Sequence, residues 1–360
     1  MVEPQSVEQK QKQRYRVGIL GATGMVGQRF IQLLDQHPQF EVTALAASDK
    51  SQGERYEKAC RWRLPSEMPQ RVKKLTVEPP RPPLDCDFVF SSLPSAVACE
   101  AEELFARAGY PVISNSSAYR MDHSVPLVIP EVNSDHLSLL ELQRDRGYRN
   151  GAFIVTNPNC STIVVALVLA PLHARFGVAS CAVTTMQAIS GAGYPGVASL
   201  DVCDNVLPFI EGEEEKIASE TLKILGTITK DGIRHPSMQV SAQCHRVNVT
   251  DGHLAAMRIK LVRGAQIEEI GETFEYFRSV PQELGLHSAP TNPIIVRVEP
   301  DRPQPRLDRD AGGGMSITVG RIARDLLSDV RLVALGHNTI RGAAGAAILN
   351  AELLLAKGYL

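Results

Sequence analysis

The chain has 360 residues, enough for one large or two medium domains with a substantial core. Charge is nearly balanced at −2, with 44% hydrophobic and 22% charged residues, so no basic excess points to nucleic acid or to an acidic membrane surface. The 7 cysteines are odd in number and lack a CxxC or paired spacing, which argues against a disulfide framework or a zinc site and for a reducing, cytoplasmic setting.

Residues 1–14 are rich in Gln, Lys and Glu and read as a disordered tail rather than a signal peptide. No apolar run is long enough to span a bilayer. Tyr15 to Leu20 reads as a strand, followed by Gly21-Ala22-Thr23-Gly24-Met25-Val26-Gly27 and a helix over Gln28 to Gln36. This is a variant of the strand–turn–helix fingerprint for dinucleotides: Gly21 and Gly24 let backbone approach a pyrophosphate at the helix N-terminus, and Gly27 lets the helix pack closely. Phe40 to Ala46 is the next strand, and Ser48, Asp49, Lys50 and Ser51 follow it. An NAD site would place a lone acid here. Two serines and a lysine around Asp49 suit a 2′-phosphate better, so NADP is expected; a solvated polar turn is the alternative.

Residues 52–83 form a polar, proline-rich excursion that holds the single tryptophan, Trp62. Strand 86–91, helix 97–108 and strand 110–114 resume the β-α alternation. Ser91, Ser92, Asn115 and Arg120 then fall at carboxyl ends of strands, where open parallel sheets bind ligands. A helix is expected after Asn133. Phe153 to Val155 is a strand that hands over, through Thr156-Asn157-Pro158-Asn159-Cys160-Ser161-Thr162, to an apolar helix reaching Ala174. Cys160 therefore sits near a helix N-terminus, with Asn159 or Ser161 as the cap, where free N–H groups and the dipole favour thiolate. The working reading is a nucleophile that forms a covalent acyl intermediate; an inert buried cysteine is the alternative.

Beyond residue 178 the strands lengthen and group together: 182–189, 241–250, 254–262, 294–298, 317–322 and 330–335, with helices over 211–225 and 268–279. A small-faced helix over 342–357 is expected to pack back on the first domain. Acyl chemistry needs an acid/base, and His253, in a polar turn after Asp251-Gly252, is the best placed of the 9 histidines, with His245 second. Arg246 lies on a strand, either paired structurally or gripping a carboxylate. The expected class is α/β: a Rossmann-type dinucleotide-binding domain (15–158 plus 337–360) and an α+β catalytic and dimerisation domain with a mixed sheet (159–336). No metal site is expected.

Five motifs together resemble the aspartate-β-semialdehyde dehydrogenases, in the form found in fungi and archaea, over nearly the whole chain after Tyr15. They are Gly21 to Gly27, Asn157 to Thr162, Gln187-Ala188-Ile189-Ser190-Gly191-Ala192-Gly193, Glu213 with Lys216, and Arg246 seven residues before His253. The resemblance implies NADPH-dependent reduction of L-aspartyl-4-phosphate to the semialdehyde through a Cys160 thioester, in threonine and methionine biosynthesis. It implies His253 as acid/base, Gln187 orienting the substrate and Asn159 at the oxyanion. Arg246 would hold the α-carboxylate, Glu213 the ammonium, and Lys216, Arg120 and Asn115 the phosphate. Gly21, Thr23, Gly24, Met25, Val26, Ser48, Ser51 and Ser92 would line the adenosine and pyrophosphate end, with Gly191 and Asn338 at the nicotinamide. Lys50 stands where an arginine is more usual on the 2′-phosphate; the charge is kept and bidentate bonding is lost. A homodimer or dimer-of-dimers tetramer is implied, as are a small-molecule substrate and no nucleic-acid or membrane partner. A malonyl-CoA reductase on the same scaffold, or a silent NADP-binding relative, are the rival readings.

Overall fold

In this computed structural model the described residues are 14–230 and 232–360, so the predicted tail, residue 14 apart, lies outside them. The short apolar runs of the first half pair only in parallel: β1 (Tyr15–Leu20), β2 (Phe40–Ala46), β3 (Val77–Glu78), β4 (Phe88–Ser91), β5 (Val112–Ser114) and β6 (Ile154–Thr156), in the order β3-β2-β1-β4-β5-β6. The strand order reverses at β1, which opens a crevice at the carboxyl ends of β1 and β4. Gly24 N donates to Gly21 O at 3.0 Å, closing the glycine turn so that helix α1 (Met25–Leu34) begins three residues before the predicted Gln28. Helix α2 (Ser95–Ala108) follows β4.

The 52–83 excursion is anchored to that turn. Tyr56 is fully buried and donates its hydroxyl to Ala22 O at 2.7 Å. Gln28 Nε2 donates to Thr23 O and Arg61 O at 3.0 and 3.1 Å, and Gln28 Oε1 accepts from Arg63 N at 2.7 Å. The helix expected after Asn133 is instead a 3-10 run over Ser134–Arg146.

The second sheet is mixed. It comprises β7 (Val178–Gln187), then, past a separate hairpin of β8 (Thr227–Thr229) and β9 (Gly232–Arg234), strands β10 (Gln239–Arg246), β11 (His253–Leu261), β12 (Ile294–Val296), β13 (Ile317–Arg324) and β14 (Val330–Gly336). Their order is β10-β7-β11-β14-β13-β12; β10 with β7 and β12 with β13 are parallel, the rest antiparallel. Helices α3 (Cys160–Phe176), α4 (Glu213–Ile224) and α5 (Ile267–Glu275) share its core. Helix α3 is apolar all round and buried from Ile163 to Leu169; each Val, Leu or Ile side chain there contributes about 1.5–3 kcal/mol over leaving it in water. The strands alternate in burial, and Arg258, Val298, Arg321 and Arg331 line a groove of about 650 Å³ on this sheet.

After β14 the chain returns. The predicted last helix opens with a π turn, Ile340–Ala344, before α6 (Gly345–Ala356). Fully buried Arg341 forks onto Glu131 at 2.9 and 2.6 Å and pins the widened turn. Ala347, Ile348, Ala351 and Leu354 then join the core of the first sheet with Val17, Phe30 and Phe90, as expected from the sequence. Among the described residues no helix is long and apolar enough to cross a membrane, and no cluster of three or more His, Cys, Asp or Glu could hold a metal.

Candidate active site

Between the two sheets lies a cleft of about 870 Å³. Gly21, Thr23, Gly24, Met25 and Val26 line one part of it, with Ser48 and Ser92 alongside. Here the backbone is bare by necessity. Gly21 has φ +80°, and a Cβ on it would stand 2.8 Å from Ser92 O; a Cβ on Gly27 would stand 2.3 Å from Gly21 O. Helix α1 has no side-chain cap, so its N-terminus suits a pyrophosphate. Lys50 and Ser51 are not on this wall: Lys50 is exposed in the turn after β2, where Ser51 N donates to Ser48 O at 2.9 Å.

Cys160 is the first residue of α3, half-buried on the cleft wall beside Asn115, Arg120, Asn159, Glu213 and Lys216. Asn159 is the cap, accepting on Oδ1 from Ser161 N at 2.8 Å and Thr162 N at 3.1 Å. The expected thiolate is not what this environment favours. Burial pushes the thiol up to about 12, the Glu213 carboxylate adds to that, and the opposing charges of Arg120 and Arg246 do not overcome it. Asn159 also differs from the oxyanion role expected of it. Its Nδ2 donates to Glu213 and its N–H to Glu220 Oε2 at 2.7 Å, so it braces the start of α3. Burial raises the Glu213 carboxyl above its ordinary value, against the pull of Lys216 and Asn159.

Behind this wall, three adjacent strands bring Gln187, Arg246 and His253 together. Arg246 is in register with Gln187, and β11 starts beside the end of β7. All three are buried. Gly191 covers them: a Cβ there would be 2.7 Å from Arg246 Nη1 and 3.0 Å from His253 Nε2, so only glycine lets the loop sit this close. Ala188 N donates to His253 Nδ1 at 3.1 Å, which assigns the proton of the neutral ring to Nε2. That Nε2 is buried without a hydrogen-bond partner among the described residues. Burial, then the charges of Arg246 and His337, hold the ring down to about 3, so it is neutral at physiological pH. Arg246 Nη1 donates to Ala188 O at 2.8 Å, a carbonyl rather than a carboxylate. Gln187 Nε2 donates to Thr185 Oγ1 at 3.3 Å. The second histidine, His245, is half-buried against Thr185 O at 3.2 Å and off the cleft wall. Asn338 and Gly191 do line the cleft; Asn338 Nδ2 donates to Ser190 Oγ and its Oδ1 accepts from Gly252 N, both at 2.8 Å.

Sequence reasoning missed several residues. Glu220 and Lys223 continue the stripe begun by Glu213 and Lys216 on α4, and that helical spacing was the available signal. Asn157 Nδ2 donates to Asn115 Oδ1 at 2.9 Å and so steadies the Asn115 side chain. Gly342, in the π turn, lines the cleft beside Cys160, and nothing local marks it.

The family models for semialdehyde dehydrogenase match two stretches, the NAD-binding domain over residues 16–140 and the dimerisation domain over residues 169–341. The chain is 53% identical over 342 residues to the aspartate-semialdehyde dehydrogenase of Methanothermobacter thermautotrophicus, covering 94% of this chain and 98% of that one. It is 46% identical over 353 residues to the same-named protein of Schizosaccharomyces pombe, covering 96% and 99%. The crystal structure of the Candida albicans enzyme with NADP superposes with a TM-score of 0.89 at 42% identity, covering 97% of this chain and 100% of that one.

Proposed function

The chain belongs to the aspartate-semialdehyde dehydrogenase family, and from that premise we propose that it reduces L-aspartyl-4-phosphate to L-aspartate-4-semialdehyde with NADPH, releasing phosphate. One observation carries this reading. A single cleft joins the glycine turn, the Cys160 thiol and the Arg120 and Lys216 cations, with the buried Nε2 of His253 close behind Gly191.

The Cys160 sulfur attacks the acyl carbon, the bond from that carbon to the phosphate oxygen breaks, and a thioester forms. Overall the thiol proton ends on the departing phosphate. His253 acts as the donor side of the acid/base pair, its Nε2–H donating to the acyl oxygen as charge develops there while Nδ1 stays on the Ala188 N–H. Gly21, Thr23, Gly24, Met25, Val26, Ser48 and Ser92 would hold NADPH, with Gly191 and Asn338 at its nicotinamide, and the cofactor when bound would supply hydride to the thioester carbonyl. Collapse of the resulting tetrahedral alkoxide frees the semialdehyde and expels the thiolate, which takes up a proton from solvent. Arg246 holds the α-carboxylate, Glu213 the ammonium, and Gln187 orients the chain between them. Arg120, Lys216 and Asn115 receive the phosphate. An ammonium on Glu213 also offsets the charge that adds to burial in raising the thiol, so substrate binding shifts it towards the nucleophilic form.

The NADP-binding unit comprises 15–158 and 337–360, and the catalytic unit 159–336. The chain forms homo-oligomers through its dimerisation domain, as a dimer or a dimer of dimers. It acts in the cytoplasm in the synthesis of threonine and methionine. The test is phosphate-dependent reduction of NADP by aspartate semialdehyde, expected for the wild type and abolished in Cys160→Ala. Reduction that needs coenzyme A in place of phosphate would favour a malonyl-CoA reductase, and none with either a silent relative.

A further inference from the structure

Helix α4 carries Glu213, Lys216, Glu220 and Lys223 at spacings of three, four and three, which places them along one face. The first two line the cleft, and the other two reach behind it. Glu220 is 2% exposed, and its carboxylate divides between two elements of the site. Its Oε1 lies 3.0 Å from Arg120 Nη1, and its Oε2 accepts from Asn159 N at 2.7 Å. One carboxylate thus touches both a cation on the cleft wall and the cap of the helix that starts with Cys160. Lys223 secures the same arginine from its backbone: Nζ donates to the carbonyl oxygens of Arg120, Asp122 and Val125 at 2.6, 2.7 and 2.8 Å.

The guanidinium has five N–H groups to place. Nη1 is engaged by Glu220, Nη2 donates to Asn115 O at 2.6 Å, and Nε is buried with no partner among the described residues. A substrate with both a carboxylate and a phosphate could set either against either arginine, so a loosely held Arg120 would compete with Arg246. Two fixed contacts leave Arg120 one orientation. We propose that Glu220 is a positioning residue of the acyl-transfer step, holding Arg120 at a set reach from the Cys160 sulfur so that this end of the cleft takes the phosphoryl group. This inference rests on reading the site as phosphate-releasing.

Steady-state kinetics in the phosphate-consuming direction tests it. Glu220→Gln keeps the shape but loses the charge, and its NH2 must face one of the two donors. The expected result is a rise of about tenfold or more in the KM for phosphate and a lower kcat, with the KM for aspartate semialdehyde within about threefold of wild type. Glu220→Asp, which keeps the charge, restores part of the phosphate KM. In an Arg120→Gln background, adding Glu220→Gln leaves the phosphate KM where it is, because the effect runs through Arg120. Should Glu220→Gln alone fail to fold, that second comparison decides, since the double variant removes both buried charges together. Wild-type phosphate KM and kcat in a folded Glu220→Gln, equal rises in both KM values, or additivity with Arg120→Gln would overturn the proposal. A wild type with no phosphate dependence would instead overturn the underlying reading.

Discussion

A Cβ built on Gly342 would stand 2.6 Å from the Cβ of Cys160, so the π turn of the returning C-terminal segment lies directly against the nucleophile. The turn cannot easily yield, because the neighbouring Arg341 is fully buried and bonded twice to Glu131. In Gly342→Ala the sulfur must therefore move. A displacement of about 1 Å in a reacting group can cost on the order of 100-fold in rate. We expect kcat to fall by about that factor while NADP still binds, measured by initial rates and by fluorescence titration. A near-normal kcat would show that the turn gives way instead.

The thiol of Cys160 is held up to about 12, first by burial and then by Glu213. Alkylation by iodoacetamide should accordingly rise with pH up to pH 10 without levelling off. Removing a neighbouring negative charge favours the thiolate, so Glu213→Gln should be alkylated faster than wild type at any given pH. The substrate's ammonium should do the same without mutation. A plateau below pH 8 in the wild type would contradict this account.

His253 sets an acid limit. Its ring is held down to about 3 against an ordinary 6.5, so between those values the unfolded chain binds a proton that the folded chain refuses. Stability then rises with pH across that window and is lost as pH falls from 6.5 towards 3. His337, held down to about 4, adds to the same slope. Urea midpoints of the wild type should drop more between pH 7 and pH 4.5 than those of His253→Gln. Parallel curves would mean that other groups govern acid unfolding.

What could be read beforehand was what is locally written. Strands β1 and β2 have the predicted ends, because each is an apolar run closed by glycine or polar turn residues. Cys160, a cap at Asn159 or Ser161, and His253 stood out from their neighbours in the chain. The thiolate expectation rested on the same locality: a helix N-terminus favours thiolate, but burial and then Glu213, which push the thiol up, come from elsewhere in the fold. Glu220 meets Arg120 across 100 residues, and Gly342 meets Cys160 only after the chain has built a second sheet and come back. The π turn and the 3-10 run after Asn133 have no periodicity of their own to betray them.

Lys50 is exposed at the end of β2 and off the cleft wall, so any grip on a 2′-phosphate is a solvated one. Such a contact contributes at most about 1 kcal/mol. Lys50→Ala should raise the KM for NADP about fivefold and leave the KM for NAD unchanged. An unchanged KM for NADP would remove Lys50 from the cofactor site.

Arg63 reaches from the 52–83 excursion to the glycine-rich loop of the second sheet. Its Nη2 donates to the Tyr194 hydroxyl at 2.8 Å, and its guanidinium carbon lies 4.5 Å from the centre of the Tyr194 ring. Gln28 accepts from Arg63 N and donates to Thr23 O, so hydrogen bonds run from the cofactor turn, through the excursion, to the loop whose Gly191 covers Arg246 and His253. Tyr194 is 59% exposed, so the stacking contributes only about 0.5–1 kcal/mol, and little stability depends on it. Its consequence should appear in cofactor binding, because Thr23 and Tyr194 both line the cleft. Arg63→Ala should raise the KM for NADP a few-fold, with the phosphate KM unchanged and the melting temperature nearly so. Tyr194→Phe keeps the ring and loses only the hydroxyl contact, so its effect should be the smaller of the two. If both variants leave the NADP KM alone, the excursion supports the glycine turn from below and takes no part in closing the cleft.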